Sequence, residues 1–363
     1  MKFERKHILI IGAGIHGVTI ALELSKDHDV IMVDANEDIL MGASNATHNR
    51  IHLGYHYPRS KNTIRECKSG YDLFLKEHQE CLIFPDFYYV IEKQSKISAQ
   101  QFRNTMLGEN LPCDSIFPDT SFLNISHIED SFKVKEACFD MMKLREKLKK
   151  QLVESRIKQY MNSNIESVER DGKKLRLLNI NTQKAPLELE VDLIVNCTYT
   201  YSNNLLKVFG IETNLTEYEF EETEIAVVES EMDIPAMTVM DGPFISILPY
   251  GNHKNKFLVY DVVHSVMSRE NGLFFTKTEH GNRSNWSRML EHGKKYYPFF
   301  DKLKYRYSLY SHRPIPKNNR GDSRTTRIIK ENYDIDFFSI KEGKFISAPT
   351  VALQFKELVN RTL

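Results

Sequence analysis

Residues 7–34, HILIIGAGIHGVTIALELSKDHDVIMVD, contain the pattern that decides the fold of this chain. An apolar run leads into glycines at Gly12, Gly14 and Gly17, an amphipathic stretch follows, and a second apolar run ends at Asp34. This order predicts a strand, a tight turn and a helix whose N-terminal N–H groups face a pyrophosphate. Asp34 then stands where an acid accepts hydrogen bonds from a ribose. The stretch therefore predicts a dinucleotide-binding βαβ unit.

Each glycine of this turn has a separate predicted task. Gly12 permits the tight turn, Gly14 lets the phosphates approach the backbone, and Gly17 lets the helix pack closely on the strand. The alternative is an ordinary strand-to-helix turn whose glycines only relieve strain. We favour nucleotide binding because strand, helix, second strand and acid all fall at the required spacing.

The composition is that of a large protein with balanced charge. The chain has 363 residues, of which 41% are hydrophobic, enough for two domain-sized cores. Lys plus Arg and Asp plus Glu both number 49, so no overall field favours nucleic acid or an anionic membrane surface. No stretch approaches membrane-spanning length, and the opening MKFERKH lacks the features of a signal peptide. Five scattered cysteines without a CxxC pair favour a reducing cytoplasm, which is the predicted location.

The chain shows neither repeats nor a low-complexity linker, so we expect its domains to interleave along the sequence. The dinucleotide-binding domain is predicted from residues 1–83, 135–216 and 311–363. Residues 84–134 and 217–310 are rich in Tyr, Phe and alternating β-type runs. Such runs predict an antiparallel sheet that forms the substrate side of a cleft.

Several local patterns predict single elements. Residues 135–152 have helical periodicity, and a hairpin is expected to turn at Asp171 and Gly172. Residues 191–198, VDLIVNCT, have the pattern of a buried strand, and residues 285–296 that of a helix. A strand or loop from Gly343 onward is expected to lead into a terminal helix.

The segment that follows Asp34 carries a family resemblance. Residues 42–67, GASNATHNRIHLGYHYPRSKNTIREC, resemble the D-amino-acid oxidase and glycine oxidase superfamily of FAD-dependent oxidoreductases, in particular its L-2-hydroxyglutarate oxidase branch. The resemblance implies an α/β fold in which a Rossmann-like FAD-binding domain of the GR2 type is interleaved with an antiparallel-sheet substrate domain. It also implies that this segment lies under the flavin, with FAD as the dinucleotide.

Two later motifs extend the resemblance. Residues 191–205, VDLIVNCTYTYSNNL, are similar to a family strand that ends in Asn-Ala-Thr-Gly-x-x-Ser, with Tyr199 in place of the usual glycine. GKFISAPTVAL, from Gly343, occupies the place of a Gly-rich loop, and Thr350 is expected to cap the helix that follows. The fingerprint and the resemblance together predict the following cofactor-binding residues: Gly12, Gly14, Ile15, His16, Gly17, Asp34, Ala35, Ser44, His48, Asn49, Ile165, Thr198, Gly343, Lys344 and Thr350.

The resemblance also implies a residue that holds the substrate. SHRPIP resembles the family's Arg-Pro element, which places Arg313 against a substrate carboxylate. A planar guanidinium suits that role because it donates two parallel hydrogen bonds. Arg50 and Arg59 are competitors, and Arg313 could instead form a surface or domain-interface ion pair.

Three further side chains are candidates for catalysis. For a hydroxy-acid substrate, His52 or His56 could accept the hydroxyl proton, whereas an amine that binds deprotonated needs no strong base. Both histidines could alternatively hydrogen-bond the backbone around the flavin. Tyr260 could place a phenol over the flavin, although aromatic residues in sheets more often pack. We expect non-covalent FAD, with covalent attachment through His48 as the alternative.

The predicted function is oxidation of a small 2-hydroxy acid or amino acid, or a similar group on a larger molecule, by hydride transfer to flavin N5. Alternatives are a flavin-binding protein with a degenerate cleft and an NAD-dependent dehydrogenase. Oxygen, a quinone and an electron-transfer protein all remain open as electron acceptor. No metal is expected, because HExxH is absent and the later histidines are too dispersed to predict a metal site: His253, His264, His280, His292 and His312.

Overall fold

The structure is a computed structural model that describes residues 4–179, 186–277, 283–317, 325–341 and 343–362. Parallel and antiparallel sheets both occur, which confirms the predicted α/β class. Over the described ranges, the α-helices are Ile15–Leu24 (α1), Lys61–His78 (α2), Ala99–Gly108 (α3), Met141–Glu154 (α4), Ser202–Val208 (α5), Trp286–Lys294 (α6) and Ala348–Thr362 (α7).

The strands alternate with these helices along the chain. Those before α5 are His7–Ile11 (β1), Asp29–Val33 (β2), Arg50–Ile51 (β3), Leu82–Ile83 (β4), Phe87–Glu92 (β5), Asp114–Ser115 (β6), Ile128–Val134 (β7), Ala137–Phe139 (β8), Lys158–Tyr160 (β9), Ile165–Asp171 (β10), Lys174–Asn179 (β11), Leu187–Glu190 (β12) and Leu193–Asn196 (β13). Those after it are Tyr218–Glu229 (β14), Ala236–Met240 (β15), Ile245–Pro249 (β16), Lys256–Asp261 (β17), Val266–Gly272 (β18), Lys304–Pro316 (β19), Arg327–Lys330 (β20) and Asp336–Lys341 (β21).

Strand β1 lies inside a six-stranded sheet of order β20-β21-β13-β1-β2-β9. All neighbouring strands of this sheet are parallel except β20 and β21, which are antiparallel. Helices α1, α2, α4 and α7 supply a hydrophobic core on one face, and β10–β12 with α5 cover the other. The near-continuous apolar strands agree with burial on both faces.

The helix predicted from residues 135–152 begins later than its periodicity indicated. Residues 137–139 form strand β8, and α4 starts only at Met141. The Asp140 carboxylate accepts hydrogen bonds from the backbone N–H groups of Met142 and Lys143 at 3.0 and 3.1 Å. This N-cap fixes the helix start, whereas the buried apolar residues of β8 merely continue the periodic pattern.

The remaining local predictions agree with the structure. Strands β10 and β11 pair as the expected hairpin, with Asp171 opposite Lys174 and Gly172 at φ +56°. The 191–198 pattern gives the buried strand β13, and the 285–296 pattern gives α6.

A nine-stranded sheet forms the other half of the molecule, with the order β18-β14-β17-β16-β15-β5-β7-β6 and β19 paired to β14. The sheet is antiparallel as predicted except for one pair of strands, β5 and β15, which are parallel. The chain passes through the six-stranded sheet between these two strands, so no hairpin forces them to run in opposite directions. In the described part of the chain, no helix has both the length and the apolarity needed to cross a bilayer.

Helix α1 packs unusually close to β1. A Cβ atom at Gly17 would lie 1.8 Å from the Gly12 carbonyl oxygen. We expect Gly17→Ala to lower the free energy of unfolding by about 1–3 kcal/mol or more, because the helix must move away from the sheet. Chemical denaturation measured by circular dichroism tests this.

Gly108→Ala, at the end of α3, is the matched control. A Cβ there meets nothing within 4 Å, so this change should leave stability unchanged or raise it by up to about 1 kcal/mol. Equal effects of the two substitutions would contradict the packing argument.

Candidate active site

One large cleft of about 1180 Å³ is lined by residues of both large sheets. Its walls include the turn after β1, the loop before and after β3, and parts of β14, β17 and β19. Of the predicted site residues, the cleft is lined by Gly12, Gly14, Ile15, His16, Asp34, Ala35, Ser44, His48, His52, His56, Ile165, Thr198, Tyr260, Arg313, Gly343 and Lys344.

Three predicted cofactor residues are not on the walls of this cleft. Gly17 faces Gly12 inside the helix–strand contact. Asn49 is buried at φ +54°, where its backbone N–H is held by the Thr47 hydroxyl at 3.0 Å. Thr350 is the third residue of α7 rather than its N-cap, so the predicted capping role is wrong. A short 3₁₀ turn before α7 shifts the start of the helix to Ala348.

The fingerprint turn leaves the N-terminus of α1 open to the cleft. Gly12 has φ +105°, and a Cβ there would lie 2.5 Å from the Cys197 carbonyl oxygen. Gly14 is the N-cap and carries no side chain over the helix end. The Ser44 hydroxyl lies beside it and accepts a hydrogen bond from the Ile15 N–H at 3.1 Å. The positive end of a helix and a hydroxyl thus meet at one point, an arrangement that suits phosphate oxygens.

The Asp34 carboxylate is held at the end of β2. Its Oδ2 accepts a hydrogen bond from the Ala13 N–H at 2.5 Å, and its Oδ1 accepts one from the Asn36 N–H at 2.7 Å. Oδ1 also accepts from the side-chain Nδ2 of Asn36 at 2.8 Å, which fills both of its acceptor sites, whereas Oδ2 can still accept a further bond. A ribose hydroxyl is a suitable donor for this partly exposed carboxylate.

The turn after β13 has the backbone shape that a glycine would adopt. Tyr199 has φ +53°, in the left-handed region that glycine favours. The Asn196 side chain fixes this turn, because its Oδ1 accepts from the Thr198 N–H and hydroxyl and its Nδ2 donates to the Ser202 carbonyl. Tyr199 therefore adopts the conformation expected of the glycine that the family resemblance implies at this position.

His16 and the segment at Gly343 meet across the cleft. The His16 Nε2 lies 3.2 Å from the Lys344 carbonyl oxygen, so that nitrogen carries the proton. Burial lowers the pKa of His16 to about 4, against the opposing effect of this bond. A Cβ at Gly343 would lie 2.6 Å from the same nitrogen. His16 is therefore a neutral side chain at neutral pH.

Several buried polar atoms on the walls of this cleft have no hydrogen-bond partner among the described residues, and four of them lie on candidate substrate-side residues. Unsatisfied buried donors and acceptors cost free energy, so a ligand or water is expected to satisfy these four atoms. The ring of Tyr260 lies 5.4 Å from that of His48 and 5.8 Å from the Arg313 guanidinium. The four atoms without a partner in the described chain are His48 Nε2, His52 Nδ1, Tyr260 Oη and Arg313 Nε.

Arg313 faces Glu221 directly across the β14–β19 pair. Its Nη2 donates to Glu221 Oε2 at 2.6 Å, and Arg269 donates to Glu221 Oε1 at 3.0 Å. The ion pair that was the alternative for Arg313 thus exists, but it lies on the cleft wall and leaves the Arg313 Nε without a partner in the described chain. Glu221 orients Arg313 rather than occupying all of its donors.

Arg50 is buried beneath the histidine-rich turn. It donates to His56 Nδ1 at 3.0 Å and to the Tyr89 and Thr238 hydroxyls, and its Nε lies 3.9 Å from Glu136. A guanidinium only donates, so Nδ1 of His56 must be the acceptor and the proton of the neutral ring sits on Nε2. His56 therefore presents a donor to its surroundings rather than a base.

His52 is neutral for a different reason. Burial, followed by the charge of neighbouring Arg50, lowers the pKa of His52 well below its usual value. The same two effects lower the pKa of His48. A histidine with a low pKa is a weak base, because its protonated form is unfavourable in this environment. Neither histidine is well suited to take a proton from an alcohol.

Sequence reasoning did not identify Glu221 and Arg269. The strand YEFEETEIAVVE places five acids among apolar residues, and Glu221 is only 5% exposed. An acid at a buried position of a strand signals a fixed cationic partner. That partner could not be named, because β14 and β19 are far apart in sequence.

The prediction that the later histidines are dispersed is wrong for two of them. His264 and His292 lie together with Asp261, outside the walls of the cleft, and their ligand atoms are within 4.8 Å of one another. Folding of α6 against the end of β17 brings them together. His280 lies outside the described residues.

Comparison with known proteins agrees with this geometry. A family model described as FAD dependent oxidoreductase (DAO) matches residues 7–334. The FAD-dependent monooxygenase kojA of Aspergillus flavus is 25% identical in an alignment of 256 residues that covers 66% of this chain. The chain spans only 57% of the length of that relative.

Two solved structures share the fold across almost the whole chain. Glycine oxidase from Geobacillus kaustophilus has a TM-score of 0.76 at 14% identity, over 99% of this chain and 96% of its own. The L-α-glycerophosphate oxidase from Mycoplasma pneumoniae, solved with FAD bound, has a TM-score of 0.73 at 18% identity, over 98% and 95%. Because the family model covers most of the sequence, this chain belongs to the DAO family of FAD-dependent oxidoreductases.

Proposed function

We propose that this protein binds FAD non-covalently and oxidises the CH–NH bond of a small amino acid. The observation that supports this best is the group of four buried polar atoms without partners in the described structure, at His48, His52, Tyr260 and Arg313. All four residues line the cleft, where the Tyr260 ring is a neighbour of both the His48 ring and the Arg313 guanidinium, and they offer both donors and acceptors to a small polar ligand.

The residues present fit FAD. The open helix N-terminus at Gly14 and the Ser44 hydroxyl suit the pyrophosphate, and the Asp34 carboxylate suits the adenosine ribose. The turn at Thr198 and the backbone at Gly343 border the same cleft. Bound FAD would supply the hydride acceptor, its N5 atom.

The proposed substrate carboxylate binds at Arg313. Its guanidinium is held in place by Glu221, and its Nε–H has no partner among the described residues. A carboxylate oxygen that accepts from this donor would be held by a charge-assisted hydrogen bond. The Tyr260 hydroxyl lies in the same wall and would contribute a further hydrogen bond.

The state of the histidines favours an amine over an alcohol. His56 is held as an Nε2–H donor by Arg50, and burial keeps His52 neutral and weakly basic. Oxidation of an alcohol needs a group that accepts the hydroxyl proton, whereas an amine can bind already deprotonated. Glycine oxidase, which shares the fold, is named for an amino acid substrate. A 2-hydroxy acid, as in the L-2-hydroxyglutarate oxidase branch, and the monooxygenation named for kojA are the competing outcomes.

The domain division remains part of the proposal. The FAD-binding domain would comprise residues 1–83, 135–216 and 311–363, and the substrate domain residues 84–134 and 217–310. We further propose a cytoplasmic location. The electron acceptor is left to experiment, with oxygen, a quinone and an electron-transfer protein as the candidates.

The visible spectrum of the purified protein tests the cofactor. We expect the absorbance of oxidised flavin, release of all colour into the supernatant on acid precipitation, and bleaching by an amino acid under anaerobic conditions. Colour in the pellet would instead indicate covalent attachment, with His48 as the first residue to replace. A colourless protein that takes up no added FAD would contradict the proposal.

Asp34→Ala should weaken FAD binding about ten- to a hundredfold. A hydrogen bond to a charged group contributes about 1.5–3 kcal/mol, and this variant loses the one to the ribose. FAD titration followed by flavin fluorescence measures the effect. Asp29→Ala, at the exposed start of the same strand, is the matched control and should retain FAD. Full affinity in both variants would refute the role of Asp34.

Arg313→Lys should raise KM for a carboxylate substrate about tenfold or more while leaving flavin content unchanged. A lysine keeps the charge but cannot reproduce the planar donor geometry. The matched control is Arg306→Lys, because Arg306 pairs with Glu229 across the same two strands at an exposed position. An equal KM in both variants would show that Arg313 has a structural role only.

The pH dependence of kcat/KM separates amine from alcohol oxidation. A histidine whose pKa is depressed stays neutral down to acidic pH, so we expect no inflection near about 6.5. For an amine substrate, kcat/KM should rise with pH as the ammonium group of the substrate loses its proton. An inflection near neutrality that disappears in His52→Asn would favour a histidine base and a hydroxy acid.

A further inference from the structure

A second cluster of polar side chains lies in the nine-stranded sheet, apart from the cleft. Asp261 is the last residue of β17, His264 lies in the turn to β18, and His292 is on α6. One ligand atom from each residue lies within 4.8 Å of the other two, and His292 Nδ1 is 2.7 Å from Asp261 Oδ2.

The Asp261 carboxylate is completely buried. Its Oδ1 accepts hydrogen bonds from the backbone N–H groups of Val263 and His264 at 2.9 and 3.4 Å. Among the described residues, His292 is the only ion-pair partner of the Asp261 carboxylate, and no lysine or arginine forms an ion pair with this carboxylate. A buried carboxylate needs a positive partner, which can be a protonated histidine or a metal ion.

The donor set points to one class of metal. Two imidazoles and one carboxylate match the ligands that zinc prefers, and three protein ligands leave a fourth position for water. His264 and His292 are only half-buried, so water and metal have access. The backbone N–H groups on Oδ1 orient the carboxylate and leave Oδ2 for coordination. Calcium and magnesium prefer sites made of oxygen ligands alone.

We propose that Asp261, His264 and His292 form a Zn²⁺ site. The ion links the end of β17 and the following turn to helix α6. Tyr260, the neighbour of Asp261 in the strand, lies on the cleft wall, so the site stabilises the strand that positions this phenol. The inference is independent of the proposed substrate.

The competing explanation is an Asp261–His292 hydrogen bond that fastens α6 without any metal. His264 separates the two explanations, because the hydrogen bond does not need its ring whereas a three-ligand site does. His264→Ala is also a mild change, since the ring is partly exposed.

The test uses the flavin-loaded protein after dialysis against a chelator. Titration with zinc chloride in a calorimeter should give one site per chain, and added zinc should raise the thermal midpoint. His264→Ala should lose at least tenfold in zinc affinity and most of the rise in midpoint while keeping its flavin. His127→Ala, in an exposed turn, is the matched control and should behave like the parent protein.

The outcomes divide clearly. Saturable zinc binding that His264→Ala weakens and His127→Ala preserves supports the site. Absence of zinc binding by the parent protein, or equal binding by the parent and His264→Ala, overturns it. His292→Gln adds an independent check, because loss of zinc affinity is expected there as well.

Discussion

The close contact between helix α1 and strand β1 is the constraint on which the rest of the structure depends. Gly17 allows it, because any side chain there would collide with the Gly12 carbonyl. The same turn is fixed from two sides, since the Gly12 N–H donates to the Val33 carbonyl and the Cys197 N–H donates to that of Ile11. The helix end, the end of β2 and the end of β13 therefore meet at one edge of the sheet. In open parallel sheets that edge is the usual place for a ligand.

The parts of the fold that the sequence predicts well depend on neighbours along the chain. The βαβ unit, the hairpin at Gly172 and helix α6 each form within about 30 residues, and their patterns are complete in themselves. The start of α4 was misplaced because the N-cap at Asp140 follows a buried strand with the same apolar character. Periodicity describes burial, and burial does not distinguish a strand from a helix over a few residues.

The parts that could not be predicted arise from distant segments. Arg313 was recognised as a candidate, but its partner Glu221 lies 92 residues away and faces it only through strand pairing. His264 and His292 are far apart in sequence and come together only because α6 packs against the end of β17. The neutral state of His52 depends likewise on burial and on Arg50 beneath it. Residue types indicated the chemistry, but the three-dimensional arrangement decides which groups carry charge.

Tyr199 gives the turn after β13 the backbone conformation that glycine favours. The turn after β13 keeps a positive φ although the side chain is large, a conformation that costs a non-glycine residue of order 1–3 kcal/mol. The Asn196 hydrogen bonds help to stabilise it. A sequence pattern that requires glycine at position 199 would therefore fail to recognise this turn. The residues that hold the turn, Asn196 and Thr198, are what such a pattern needs to include.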